Sequence, residues 1–127
     1  MSVDFITDHD HGILVIEQLG SRSTHDDWDV YAEGAHSEGD SLYVGVLPPM
    51  EGRVSTSVRR DASEPDHEDL TLVFDGRLTV ASKELVIGDS DRNVEVRLPA
   101  RSGAVHLEVL VDVVGLASRV LVLLRDE

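Results

Sequence analysis

The sequence predicts an all-β protein: a two-layer antiparallel β-sandwich, of which the jelly roll is one form, with about eight to ten strands and little or no helix. Three observations predict it. Apolar residues recur with period two along most of the chain. Gly, Asp, Asn and Ser cluster between these runs at about ten-residue intervals. No segment sustains a 3.6-residue apolar pattern beyond about two turns. At 127 residues the chain is long enough to bury a core, and it reads as a single β-sandwich domain over 1–127.

The elements follow in order. Ile13-Leu14-Val15-Ile16 is an unbroken apolar run suited to a strand covered on both faces. Trp28-Asp29-Val30-Tyr31-Ala32 and Ser41-Leu42-Tyr43-Val44-Gly45-Val46 read as further strands, and Gly52 to Arg59 alternates cleanly. Polar connections run from Gly20 to Asp27 and from Arg60 to Asp66. Beyond them Leu70, Leu72 and Phe74 alternate with polar residues, as do Val94, Val96 and Leu98. Val105, Leu107, Val109, Val111 and Val113 continue the pattern. Ser82-Lys83, Gly88 to Asp91, Arg101-Ser102-Gly103 and Gly115 carry turn chemistry. Asp75-Gly76 is the strongest hairpin signal, because glycine tolerates the positive φ of a tight primed turn.

Charge is distributed unevenly. The first 51 residues hold eleven carboxylates and one basic side chain, Arg22, within a net charge of −14 for the whole chain. A one-signed field repels anionic polymers and steers cationic partners. Nucleic acid and anionic substrates are therefore disfavoured, and the local cluster Arg53, Arg59, Arg60 lies beside Asp61, Glu64 and Asp66. The basic residues are ten Arg and one Lys, a skew that a GC-rich or halophilic genome also produces. No cysteine is present, which excludes disulfides and thiolate metal sites and fits a reducing compartment. No stretch approaches the roughly 20 apolar residues of a membrane span. Met1-Ser2-Val3-Asp4-Phe5 does not begin a secretory signal, so a cytoplasmic location is expected.

Two constellations carry possible chemistry. Asp26, Asp27, Asp29, Glu33, Glu38 and Asp40 surround Trp28, Tyr31 and Tyr43 within a short span. Carboxylates that steer and aromatics that anchor suit a surface that binds a basic protein groove. The expected partner-binding residues are Asp26, Asp27, Trp28, Asp29, Glu33, Glu38 and Asp40; the bland alternative places the aromatics in the core and the acids in solvent. The second constellation is histidine-based. His9 and His11 in Asp8-His9-Asp10-His11 would share a face if they lay on a strand, and His25 and His67 stand beside acids at the ends of the polar connections. His9, His11, His25 and His67 are thus the candidates for a divalent metal, against a reading as solvated acidic turns. Nucleophilic catalysis finds no Cys and no Gly-x-Ser-x-Gly elbow, so no catalytic residue is assigned.

A family cadence runs through the second half. His67-Glu68-Asp69-Leu70-Thr71-Leu72 is followed by Gly76-Arg77-Leu78-Thr79-Val80, then Val94-Glu95-Val96, then Gly103-Ala104-Val105-His106-Leu107-Glu108-Val109 and Gly115-Leu116. Over residues 66–117 this order resembles small, actinobacterial β-proteins of the competence nuclease-inhibitor (competence protein J) group. The strand after Gly103 lacks the aromatic and Arg residues expected of that pattern, so no inhibitory residue carries over. The resemblance implies a β-sandwich and nuclease inhibition or toxin immunity. The leading expectation is a non-enzymatic acidic protein that blocks a basic partner, a nuclease or toxin, without cofactor. The alternatives are a metal- or carbohydrate-binding sandwich and a self-associating structural subunit.

Overall fold

A computed structural model of the chain describes residues 2–25, 33–61 and 69–127. Ten strands are present among the described residues: β1 (Ser2–Thr7), β2 (Ile13–Gln18), β3 (Ala35–Glu38), β4 (Ser41–Gly45), β5 (Val54–Arg60), β6 (Thr71–Thr79), β7 (Glu84–Asp89), β8 (Glu95–Pro99), β9 (Ala104–Val111) and β10 (Arg119–Asp126). They form two five-stranded sheets, β1-β5-β10-β9-β6 and β3-β4-β2-β7-β8. One 3-10 turn, Pro49–Glu51, lies between β4 and β5. The all-β sandwich is as expected. No helix among the described residues is long and apolar enough to cross a membrane.

The core lies between the sheets. Val54, Val58, Val105, Leu107, Val109, Val120, Val122 and Leu124 face Leu14, Ile16, Leu42, Val44, Leu85 and Ile87, all essentially without solvent exposure. Each such side chain contributes about 1.5–3 kcal/mol on burial, which makes the period-two pattern the main determinant of the fold. Thr56, between Val54 and Val58 on β5, is fully buried, and its hydroxyl has no hydrogen-bond partner among the described residues.

Three details differ from expectation. The Asp75-Gly76 hairpin does not exist: β6 runs straight through it, with Asp75 opposite Glu108 and Gly76 opposite Leu107. A fold-back would have paired Arg77 to Thr79 with their own preceding segment; instead both halves pair with β9. Gly76 serves another need, since a Cβ there would lie 3.1 Å from the Phe74 ring that covers it. The sandwich is also not wholly antiparallel. β10 pairs antiparallel with β9 (Val120 opposite Val111), and that direction makes it parallel to β5 (Val122 opposite Val58). Finally, β1 and β3 are strands that the sequence pattern does not signal. β1 lies at one sheet edge with every other residue exposed, and β3 spans only four residues. The expected strand at Trp28 to Ala32 lies outside the described residues.

The turns hold as expected elsewhere. Lys83 adopts φ 60 and donates its N–H to Val80 O at 2.9 Å, while Gly115 takes φ 85 between β9 and β10. Asp112 organises that last turn, accepting N–H bonds from Val113 and Ser118 (2.9 Å each) and Arg119 (3.1 Å), and the Ser118 hydroxyl. These donors outweigh the cost of its burial and hold its pKa below the usual carboxylate range.

Candidate functional site

Register builds the site. On the outer face of the second sheet, Glu38, Ser41, Glu17, Val86 and Arg97 form one row across the five strands, and His36, Tyr43, Val15, Gly88 and Glu95 form the next. Alternation along each strand sends their neighbours into the core. Gly88 is required by close approach: a Cβ there would lie 2.0 Å from Val94 O. Beside it opens a cleft of about 180 Å³, lined by Val15, Glu17, Tyr43, Val86, Arg92 and Glu95.

The chain after β2 returns over this face. Gly20 turns with φ 88, and Asp40, in the β3–β4 turn, then ties the segment down. Its Oδ1 accepts from the Ser21 and Ser23 hydroxyls at 2.9 and 2.8 Å, and its Oδ2 from Gln18 Nε2 at 2.6 Å. Burial works against this carboxylate, yet the bonds from Gln18, Ser23 and Ser21 leave its pKa lowered. The segment delivers His25, at φ 55, onto the two rows. His25 stacks on Tyr43 with ring centroids 3.8 Å apart and planes 16° from parallel. Its Nε2 lies 2.9 Å from Ser41 Oγ, its Nδ1 lies 2.8 Å from His36 Nδ1, and its backbone N–H donates to Glu38 Oε2 at 3.3 Å. Ser41 donates to Glu17 Oε2 at 2.9 Å, and Arg92 reaches Glu17 Oε1 at 3.3 Å.

Burial sets the electrostatics. It raises the Glu17 pKa against the opposing pull of Ser41 and Arg92, and it lowers that of His25. Tyr43 is pushed up by burial and by the charges of Glu17 and Glu38. The order Glu17–Ser41–His25 differs from a hydrolytic triad, in which the imidazole stands between carboxylate and hydroxyl. Ser41 has no exposed surface.

The expected site residues distribute unevenly. Glu38 stands on this face and Asp40 beside it, Glu33 is exposed just before β3, and Asp26, Asp27, Trp28 and Asp29 lie outside the described residues, as does His67. Tyr43 is no core residue; it belongs to the outer face. His9 and His11 do not share a strand face, because the chain turns there, with Gly12 N–H bonded to His9 O at 2.9 Å. His9 is fully buried with Nδ1 3.1 Å from Ile13 O, whereas the His11 side chain is 61% exposed beside Asp91. Neither joins His25. Among the described residues three groups offer ligand atoms within 4.8 Å of one another: His25/His36/Glu38, Asp75/His106/Glu108 and Asp10/Asp89/Asp91. The spacing His36-x-Glu38 puts both residues on one face of β3, a signal that depends on knowing the strand. Ser41 and Glu17 carry no local signal, since only cross-strand register brings them to His25.

Charge divides between the sheets as well as along the chain. Strands of the first sheet carry Arg59, Arg60, Arg77, Arg119 and Arg125 against Asp4, Asp75, Glu108 and Asp126. Those of the second carry Glu17, Glu38, Glu84, Asp89 and Glu95 against Arg97 alone.

No protein-family model and no curated protein matches the sequence. The fold is that of the ComJ-like β-sandwiches. The crystal structure of ComJ from Bacillus subtilis, an inhibitor of the DNA degrading activity of NucA, aligns with TM-score 0.73 and 11% identity, covering 100% of this chain and 96% of that one. The product of crocagin biosynthetic gene J aligns with TM-score 0.65 and 13% identity, over 100% and 97%. At these identities the likeness is one of fold, and it extends over the whole chain the resemblance read in the second half.

Proposed function

We propose that the chain is a non-enzymatic inhibitor or immunity protein that blocks a cationic protein partner, a nuclease or toxin, in the cytoplasm. The observation that carries this reading is the charge polarity of the sandwich: five carboxylates against one arginine on the strands of the second sheet. The fold it shares with an inhibitor of a DNA-degrading enzyme supports the same reading. A nuclease presents a cationic groove to its polyanionic substrate, and a rigid acidic face competes for that groove. Carboxylates raise the encounter rate, and aromatic side chains supply the buried contact. The residues proposed for the contact are Asp26, Asp27, Trp28, Asp29, Glu33, Glu38 and Asp40.

The test is inhibition of a cationic nuclease encoded beside the gene, with DNA degradation and association kinetics followed over a salt series. Stoichiometric inhibition that weakens with salt through the on-rate is expected. Unimpaired DNA degradation at low ionic strength, with no complex formed, contradicts the proposal.

A further inference from the structure

We infer that His25, His36 and Glu38 form a divalent metal site, with zinc as its ion, that clamps the segment after β2 to the edge strand β3. The first argument is convergence. Two imidazole Nδ1 atoms lie 2.8 Å apart with ring planes at 73°, so that two ring edges meet at one point, and a Glu38 carboxylate oxygen lies within 4.8 Å of both. Zinc–nitrogen bonds of about 2.0–2.1 Å at a tetrahedral angle separate two nitrogens by about 3.3 Å. The rings need to open by only a few tenths of an ångström to admit the ion.

The second argument is proton bookkeeping around His25. The Ser41 hydroxyl has one proton and donates it to Glu17 Oε2. The Ser41 oxygen, 2.9 Å from His25 Nε2, is therefore an acceptor there, and His25 carries its proton on Nε2. The 2.8 Å contact with His36 is a hydrogen bond whose proton sits on His36 Nδ1 and is given up when an ion enters. A neutral imidazole has a single N–H, so His25 Nδ1 is the acceptor and directs its lone pair to that point. This is the tautomer a metal ligand requires, fixed through a hydroxyl to a buried carboxylate as ligating histidines commonly are. The ring is also held in place. Tyr43 stacks on it, the side chain is 6% exposed, and the backbone N–H of His25 is bonded to Glu38 itself. Such support costs ordering before any ion arrives, which favours binding.

Donor chemistry selects the ion. Two imidazoles and a carboxylate, without thiolate or a full oxygen shell, suit zinc and its first-row neighbours over calcium or magnesium. Of the other two groups, Asp75/His106/Glu108 has one imidazole, and Asp10/Asp89/Asp91 has none. The inference does not depend on the proposed partner, because it concerns the isolated chain.

The experiment uses untagged protein stripped with chelator and titrated with Co²⁺ and Zn²⁺. One equivalent of Co²⁺ should produce the visible absorption of a four-coordinate nitrogen/oxygen site, displaced by Zn²⁺, and Zn²⁺ should raise the melting temperature. His36→Gln and Glu38→Gln should each weaken binding at least about 10-fold, and Ser41→Ala by about 10–100-fold through the loss of His25 orientation. His106→Gln should leave it unchanged. X-ray absorption of the zinc-loaded native chain should show two imidazoles, a readout that no variant's folding affects. The absence of a 1:1 cobalt spectrum, binding lost in His106→Gln but kept in His36→Gln, or fewer than two imidazoles overturns the site.

Discussion

The two sheets satisfy their carboxylates by different means. In the first, arginines do much of it: Asp4 lies 3.0 Å from Arg59, and Asp126 takes two bonds from Arg60. In the second, neutral donors do much of it. Asp40 is held by Ser21, Ser23 and Gln18, and Glu17 by Ser41 as well as Arg92. Asp89 is held by the Val94 N–H at 2.7 Å and by Asn93. A hydrogen bond from a hydroxyl or amide stabilises a carboxylate without cancelling its charge. On the second sheet Glu17 and Glu95 are paired with Arg92 and Arg97, but Asp40 and Asp89 are fixed by neutral donors and still project their charge. A surface built in this way is suited to steering a cationic partner.

Variants sharpen that contrast, beginning with the largest effect. Gly88→Ala pushes a Cβ into the Val94 carbonyl on the second sheet and should cost about 3 kcal/mol in denaturant unfolding. A cost near zero would mean that the β7–β8 ladder is not as tight as its register requires. Glu17→Ala removes the acceptor of buried Ser41 and of Arg92, and the same measurement should give about 2 kcal/mol. His9, in the turn joining the two sheets, tests their connection by pH. Burial lowers its pKa below the ordinary 6.5, so the unfolded chain takes up a proton that the folded chain resists. The contribution is complete above pH 6.5 and is lost as the pH falls toward the folded value, at up to about 1.4 kcal/mol per pH unit. His9→Gln should flatten that part of the stability profile.

Smaller effects belong to the first sheet. Thr56→Val replaces an unpartnered buried hydroxyl on β5 with a methyl and should stabilise the protein by about 1 kcal/mol, raising its melting temperature. Arg77→Ala breaks the 2.9 Å pair with Glu127 between exposed side chains and should change stability by less than about 1 kcal/mol. If Arg77→Ala proved as costly as Glu17→Ala, the distinction between solvated pairs and a buried network would fail.

Legibility in the sequence follows the same division. Strands whose alternation is set by burial, such as β5, β9 and β10, were readable because one face must be apolar. The Asp75-Gly76 pair misleads because a turn signature is local, whereas eight of the nine residues of β6 are fixed by their long-range pairing with β9. The acidic bias was legible as a property of the first 51 residues. Its division between sheets was not, because β1 joins one sheet and β2, β3 and β4 the other. Of the network on the second sheet only His25, next to Asp26 and Asp27 in the sequence, carries a local metal-ligand signal. His36, Ser41 and Glu17 reach it through strand register, which no short motif encodes.

The most direct measurement is the association rate of a cationic nuclease with two charge variants compared over a salt series. One carries Glu38→Gln and Glu84→Gln on the second sheet; the other carries Asp4→Asn and Asp75→Asn on the first. The on-rate and its salt dependence should fall in the first variant and stay near the native values in the second. Equal loss in both, or none in the first, would contradict a binding face built on the second sheet.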